Sequence, residues 1–138
     1  MNVIRIEDLR PGTVLKVRSK DFPVVMHWGV VGFGRDANGH PPVWHSQKSD
    51  VLRCTEFEDF SAGQTSVVDS VPQNPNQGRL IVQRIASKKG LRWHLTKANC
   101  EMVVRWAVED KPISYQLIVG VLVVLFGIGL IAHSASNA

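Results

Sequence analysis

The chain has 138 residues, 44% of them hydrophobic, with 16 Lys and Arg against 12 Asp and Glu and a formal net charge of +4. That length allows one domain, and two cysteines in it do not make a disulfide framework of the secreted kind. The basic residues are scattered and form no aromatic–basic motif of the RNA-binding type, so no nucleic-acid partner is expected.

In chain order, MNVIRIEDLR lacks the apolar region of a signal peptide. Pro11-Gly12 marks a turn, Thr13 to Val17 reads as a short strand, and Asp21-Phe22-Pro23 breaks it. Val24 to Phe33 (VVMHWGVVGF) is rich in β-branched and aromatic residues and reads as a second strand. Alternation puts His27 on the face of Val25, Gly29, Val31 and Phe33, with Met26, Trp28 and Val30 on the other. Asn38-Gly39 signals a hairpin. The returning strand is Val43 to Ser46, and His45 shares a face with Val43. Further strands fit Val51 to Glu56 and Thr65 to Val71. Pro72 to Gly78 (PQNPNQG) reads as a loop. Arg79 to Lys89 changes to helical spacing through Ile81 and Ile85, with Gly90 as its cap. Leu91 to Thr96 connects. Asn99 is a good N-cap residue, which makes Cys100 the first position of a helix with Met102, Val103, Trp106 and Ala107 as its apolar stripe. That helix is expected to end around Asp110 to Pro112. Strands first and helices after indicate an α+β domain.

The charge is divided sharply. No Asp, Glu, Lys or Arg follows Lys111. Ile113 to Ala132 is an apolar run in which only Ser114, Tyr115 and Gln116 are polar. As a helix it spans roughly 30 Å, the thickness of a bilayer's hydrocarbon core. A buried core helix is the competing reading, but so small a domain can hardly surround one. Residues 1–111 therefore read as the working domain and residues 112–138 as a C-terminal membrane anchor with a short tail. Arg105 and Lys111 flank the anchor on the domain side and the tail carries no Lys or Arg, which places the domain in the cytoplasm. Gly120, Gly127 and Gly129 lack GxxxG spacing.

Cys100 is the candidate nucleophile, with a buried structural cysteine as the competing reading. A thiolate is the attacking species, and a helix N-terminus favours it through unpaired N–H groups and the positive end of the dipole. Cys54, mid-strand in LRCTE, reads as structural. A thiol needs a base, most often a histidine, and the base needs an orienting group. Of five histidines, His133 lies beyond the anchor, His40 beside the hairpin turn reads as solvated, and His94 lies in a connector. His27 and His45 sit on successive strands and reach one region if both face the side of the sheet that packs the Cys100 helix.

PGTVLKV, HWGVVGFG, VWH, FEDF, IASKKG and NCEMVVRWA, in that order, resemble the lecithin–retinol acyltransferase family over Pro11 to Ala107. The family includes small phospholipases and acyltransferases with a C-terminal anchor, which the present chain matches as well. The resemblance implies a circularly permuted papain-like fold, related to NlpC-type peptidases, with an antiparallel sheet and packed helices. It assigns His27 as general base, His45 as its orienting partner and Cys100 as nucleophile, with no metal or organic cofactor. The chain departs from the family at Met102 and Val103, where a His-Phe is common, and in a longer hairpin around Arg35 to Pro42. The expected activity is a phospholipase A/acyltransferase reaction: Cys100 cleaves a glycerophospholipid ester through a thioester, and the acyl group passes to water or another acceptor. The bilayer and its lipids are then the partners. A membrane-anchored cysteine peptidase or amidase needs the same residues, and a catalytically silent membrane adaptor is the non-enzymatic alternative.

Overall fold

The computed structural model describes residues 4–19, 25–46, 50–94, 99–111 and 114–136. The expected break at Asp21-Phe22-Pro23, the strand start at Val24, Leu95 and Thr96 of the connector, and the boundary at Pro112 lie outside them. One antiparallel sheet organises the chain. Its strands are β1 (Val14–Arg18), β2 (Met26–Val31), β3 (Val43–His45), β4 (Arg53–Thr55) and β5 (Val67–Ser70), in the spatial order β4-β3-β2-β1-β5. Successive antiparallel returns place β1 to β4 side by side, and β5 crosses to the free edge of β1. Four α-helices are described: α1 (Phe57–Ser61), α2 (Pro75–Ser87), α3 (Cys100–Glu109) and α4 (Tyr115–Ser136). The class is α+β.

Side-chain alternation on β2 sorts the two faces of the sheet. Trp28 and Val30, with Val14 of β1, join Ile81, Val82 and Ile85 of α2 and Val103, Val104 and Ala107 of α3 in one core. Leu15, Val17, Val31 and Val43 join Leu9 and the two phenylalanines of α1, Phe57 and Phe60, in a second. Each fully buried Val or Ile contributes about 1.5–3 kcal/mol of transfer free energy, and the stripe that α3 buries is Val103, Val104 and Ala107, with Met102 and Trp106 of the expected stripe only half-buried. Val103, one of the two departures from the family pattern, is part of that stripe.

Three local expectations are corrected. First, α2 begins inside PQNPNQG. Asn74 caps it, its side chain accepting from the Gln77 amide at 2.9 Å, and Pro75 occupies the first turn, where its missing N–H is not needed. Gly78 then lets the Pro11-Gly12 turn close on the helix: a Cβ there would stand 2.4 Å from the Pro11 carbonyl oxygen. Second, α1 was not foreseen. Glu58 and Asp59 in its first turn suit the helix dipole, and Ala62 stops it at φ 49. Third, β1 is shifted by one residue, and the other four strands are shorter than expected. Beyond Val31 a single in-register bond, from the Gly32 amide to Pro42 O, closes the β2–β3 pairing, and before β4 the Leu52 amide donates to Leu91 O instead of to β3. Gly90 takes φ +86 two residues past the actual cap, Lys88, and its amide docks on Leu52 O.

Helix α4 has 22 residues, about 33 Å at 1.5 Å per residue. Its Gln116–Ser136 stretch is long and apolar enough to cross a membrane, and its most apolar window is not buried at all. The core-helix reading is thereby removed.

Candidate active site

Cross-strand register brings the two strand histidines together. Gly29 of β2 faces His45 of β3, so His27 lies one diagonal step away on the same face. His27 Nε2 and His45 Nδ1 are 3.0 Å apart, with the rings edge-to-face at a centroid distance of 5.1 Å. Phe60 of α1 covers both, at 5.3 Å from His27 and 5.4 Å from His45. Gly29 makes the cover possible, because a Cβ there would meet Phe60 Cε2 at 2.7 Å and Val43 Cγ1 at 2.6 Å.

The protons in this pair follow from its last member. The Thr55 hydroxyl donates to Glu56 O at 3.2 Å, so its oxygen is left to accept from His45 Nε2–H at 2.7 Å. His45 Nδ1 is then a bare acceptor, and His27 Nε2–H donates to it. His27 Nδ1 is left with its lone pair, and it makes no hydrogen bond among the described residues. A relay from Thr55 through His45 thus selects the His27 tautomer whose free nitrogen can take a proton. Burial, then the neighbouring imidazole, lowers His27 from 6.5 to about 4. Burial, then Arg53, lowers His45 to about 4. Both rings are neutral at pH 7.

Cys100 opens α3, and Asn99 caps it, its side chain accepting from the Met102 amide at 2.9 Å. The sulfur rests against the backbone on either side of His27. Its thiol points to Met26 O at 4.0 Å, and the Trp28 amide donates toward it. No hydrogen bond joins Sγ to the His27 ring among the described residues. Burial raises the thiol above its ordinary value, and the amides of Trp28, Glu101 and Cys100 offset only part of this. Desolvation therefore outweighs the helix N-terminus, contrary to the expectation of a favoured thiolate, and the resting pair is uncharged.

The facing of the histidines also differs from the expectation. Trp28 and Val30 occupy the side covered by α3, so alternation sends His27 to the opposite side, under α1. Cys100, at the head of α3, rests against the β2 backbone at Met26 and Trp28, on either side of His27.

Glu101, next to the thiol, is 1% exposed. Its carboxylate accepts from Arg105 Nε at 3.1 Å, Ser114 Oγ at 2.7 Å and the Gln116 amide at 3.1 Å. Burial pushes this carboxyl up, but the bonds from Ser114, Gln116 and Arg105 outweigh it and hold it below its ordinary value.

The remaining candidates lie apart. Cys54, expected to be structural, is an exposed free thiol on the edge strand β4. His94 and His133 are exposed. His40 is half-buried rather than solvated: its ring pairs with Glu58 of α1, and its amide and that of Asn38 donate to Asp36 Oδ1. The hydrogen bond that its ring N–H donates to the Glu58 carboxylate raises His40. The ligand atoms of Asp36, His40 and Glu58 lie within 4.8 Å of one another, close enough to accept a cation, yet the bonds between them already account for their grouping as a latch between hairpin and helix.

Thr55, Phe60, Glu101 and Gln116 were missed as site residues. Gln116 left a signal, as a polar residue at the head of an apolar run. The placing of Thr55 depends on cross-strand register and left none. No protein-family model matches the chain, and no curated protein matches its sequence.

Proposed function

We propose that the chain is a membrane-tethered thiol phospholipase/acyltransferase with the circularly permuted, papain-like arrangement of the lecithin–retinol acyltransferase family. One observation carries the reading: a histidine whose tautomer is fixed by a second histidine stands on the strand segment against which a helix-opening cysteine rests. The order His27, His45, Cys100 along the chain is the permuted order.

In the proposed reaction His27 Nδ1 takes the proton from Cys100 Sγ, and the sulfur attacks an acyl ester carbonyl. This requires a rearrangement at the start of β2 that brings the His27 ring and the sulfur, which rest on opposite sides of the strand, into hydrogen-bond contact. The amides at the start of α3 stabilise the oxyanion. The alkoxide of the lysolipid leaves with the proton from His27, and a thioester remains on Cys100. Water or another nucleophile, deprotonated by His27, releases the acyl group. Lipid is favoured over peptide as substrate because Gln116, in the first turn of α4, bonds the same Met26 carbonyl as the thiol, at 3.4 Å. The site thus adjoins the head of the apolar helix, and a domain on the cytoplasmic side would meet lipid there.

The silent-adaptor reading is favoured by one observation, the absence of a direct thiol–imidazole bond. Intact-mass measurement decides between them: the full-length chain is incubated with phosphatidylcholine vesicles and quenched in acid, beside Cys100→Ala. A fatty-acyl adduct or released lysolipid from the wild type alone supports the enzyme. Neither product, from either protein, sinks it.

A further inference from the structure

We infer that the membrane helix is a working part of the thiol site: its first turn, through Ser114 and Gln116, holds Met26 and Glu101 in place and so sets the reactivity of Cys100. An anchor that merely tethers needs no specific bonds to the domain. The head of α4 makes a set of them. Gln116 Oε1 accepts from the Met26 amide at 2.9 Å, and its Nε2 donates to Met26 O at 3.4 Å and to Glu101 Oε2 at 3.2 Å. The Gln116 amide and the Ser114 hydroxyl donate to the same carboxylate oxygen. Ser114 also caps α4, its oxygen accepting from the Leu117 amide at 3.2 Å.

The physical reason is that β2 extends past β3. Register with β3 ends where Gly29 faces His45, so the outward amide and carbonyl of Met26 lack a strand partner on that side. Buried backbone groups require partners. A glutamine amide supplies both a donor and an acceptor and completes the strand end as a third β-residue would. The Glu101 carboxylate, meanwhile, lies in the first turn of α3 and also accepts from the Gln116 amide and the capping Ser114 hydroxyl of α4, so one anion serves the positive ends of two helices. Cys100 lies between these two fixed points: its neighbour in sequence is Glu101 and its hydrogen-bond acceptor is Met26 O. Ser114, Glu101 and Gln116 are thus positioning residues, acting through Met26 and the start of α3. The charged groups nearest the thiol on its own helix are Glu101 and its ion-pair partner Arg105, with Glu109 on the far side of Arg105 at 3.4 Å, and the neutral His27 lies across β2, under α1.

The inference needs only the thiol, so it can be tested whether or not the proposed acyl transfer occurs. Full-length protein carrying Cys54→Ser is placed in phosphatidylcholine vesicles, and the rate of Cys100 alkylation by iodoacetamide is followed against pH by peptide mass. Releasing the clamp admits water to the sulfur. Gln116→Leu and Ser114→Ala should then lower the midpoint of the profile and speed alkylation at pH 7.5 at least fivefold. Ser114→Thr, which keeps the hydroxyl, should restore the wild-type profile. Leu125→Ala, within the apolar run, should leave it unchanged. Hydrogen exchange guards against general unfolding: the Met26 amide should lose protection tenfold or more in Gln116→Leu while the core amide of Val30 keeps its own. Midpoints and rates within twofold of wild type in both clamp variants overturn the inference, as does an equal change in Leu125→Ala or loss of protection at Val30 together with Met26 in both. Alkylation shifts without any lipid product would uphold the clamp and remove the proposed function.

Discussion

Acidification should destabilise the folded chain over an unusual window, and the two site histidines set its size. Each is neutral when folded, at about 4 against an ordinary 6.5, with His45 buried and His27 half-buried between it and Phe60. A lowered folded value means that the unfolded chain binds protons the folded chain refuses. Stability present above pH 6.5 is therefore lost as pH falls toward 4, and the loss is complete below it. Linkage gives roughly 2 kcal/mol per histidine between pH 7 and pH 5. The two rings share a hydrogen bond and titrate as a pair, so roughly 3–4 kcal/mol for both is the working figure. His40 acts in the opposite direction: its value is raised by Glu58, so its contribution is fully present below pH 6.5 and is lost as pH rises through the raised value. Glu101 is lowered, and its contribution is lost only as pH falls below the ordinary carboxylate value, outside the window. Urea unfolding of the full-length protein in detergent, followed by tryptophan emission, measures the sum. With a slope of about 1–2 kcal/mol/M, the midpoint should fall by roughly 2 M from pH 7 to pH 5, and by much less in a His27→Gln, His45→Gln double variant. A wild-type fall of under about 0.5 M, or an equal fall in the double variant, would refute the buried neutral pair.

Four other outcomes follow from the same geometry. Thr55→Val removes the acceptor for His45 Nε2–H; it should cost about 1–2 kcal/mol and cut lysolipid release tenfold or more, while Thr55→Ser stays near wild type in a vesicle assay. Gly29→Ala drives a methyl into Phe60 and Val43 and should cost about 1–3 kcal/mol by urea midpoint, whereas an added Cβ at Gly34 meets nothing within 4 Å, so only its positive φ resists the change. His27→Ala should abolish lysolipid release without loss of the folded near-ultraviolet spectrum; retained activity would move the base elsewhere. The proposed base is already neutral well below pH 6.5, so kcat should hold down to about pH 5, where an ordinary imidazole is mostly charged; a fall centred on pH 6.5 would count against the buried relay.

Much of this protein was legible in one dimension because the forces concerned are local. The apolar run after Lys111 dictates a helix of membrane length, since inside lipid the backbone must satisfy its own hydrogen bonds. Alternation around His27 follows from the geometry of a strand, and Asn99 caps α3 because its oxygen reaches the Met102 amide two residues into the helix. PQNPNQG was misread because Pro and Gly signal a loop in general, whereas here Pro75 stands at the one helical position that tolerates it and Gly78 meets another backbone. What only the tertiary structure decided is long-range. Register between β2, β3 and β4 set Thr55 behind His45 and so chose the tautomer of His27. Packing of Trp28 and Val30 under α3 sent the histidines to the other face. Burial outweighed the helix N-terminus at Cys100, since desolvation depends on everything that surrounds a sulfur while the amides of one turn depend on four residues. Two residues flanking the domain boundary, Glu101 and Gln116, became partners because a strand end was left open beside them, a vacancy that exists only once the sheet has formed.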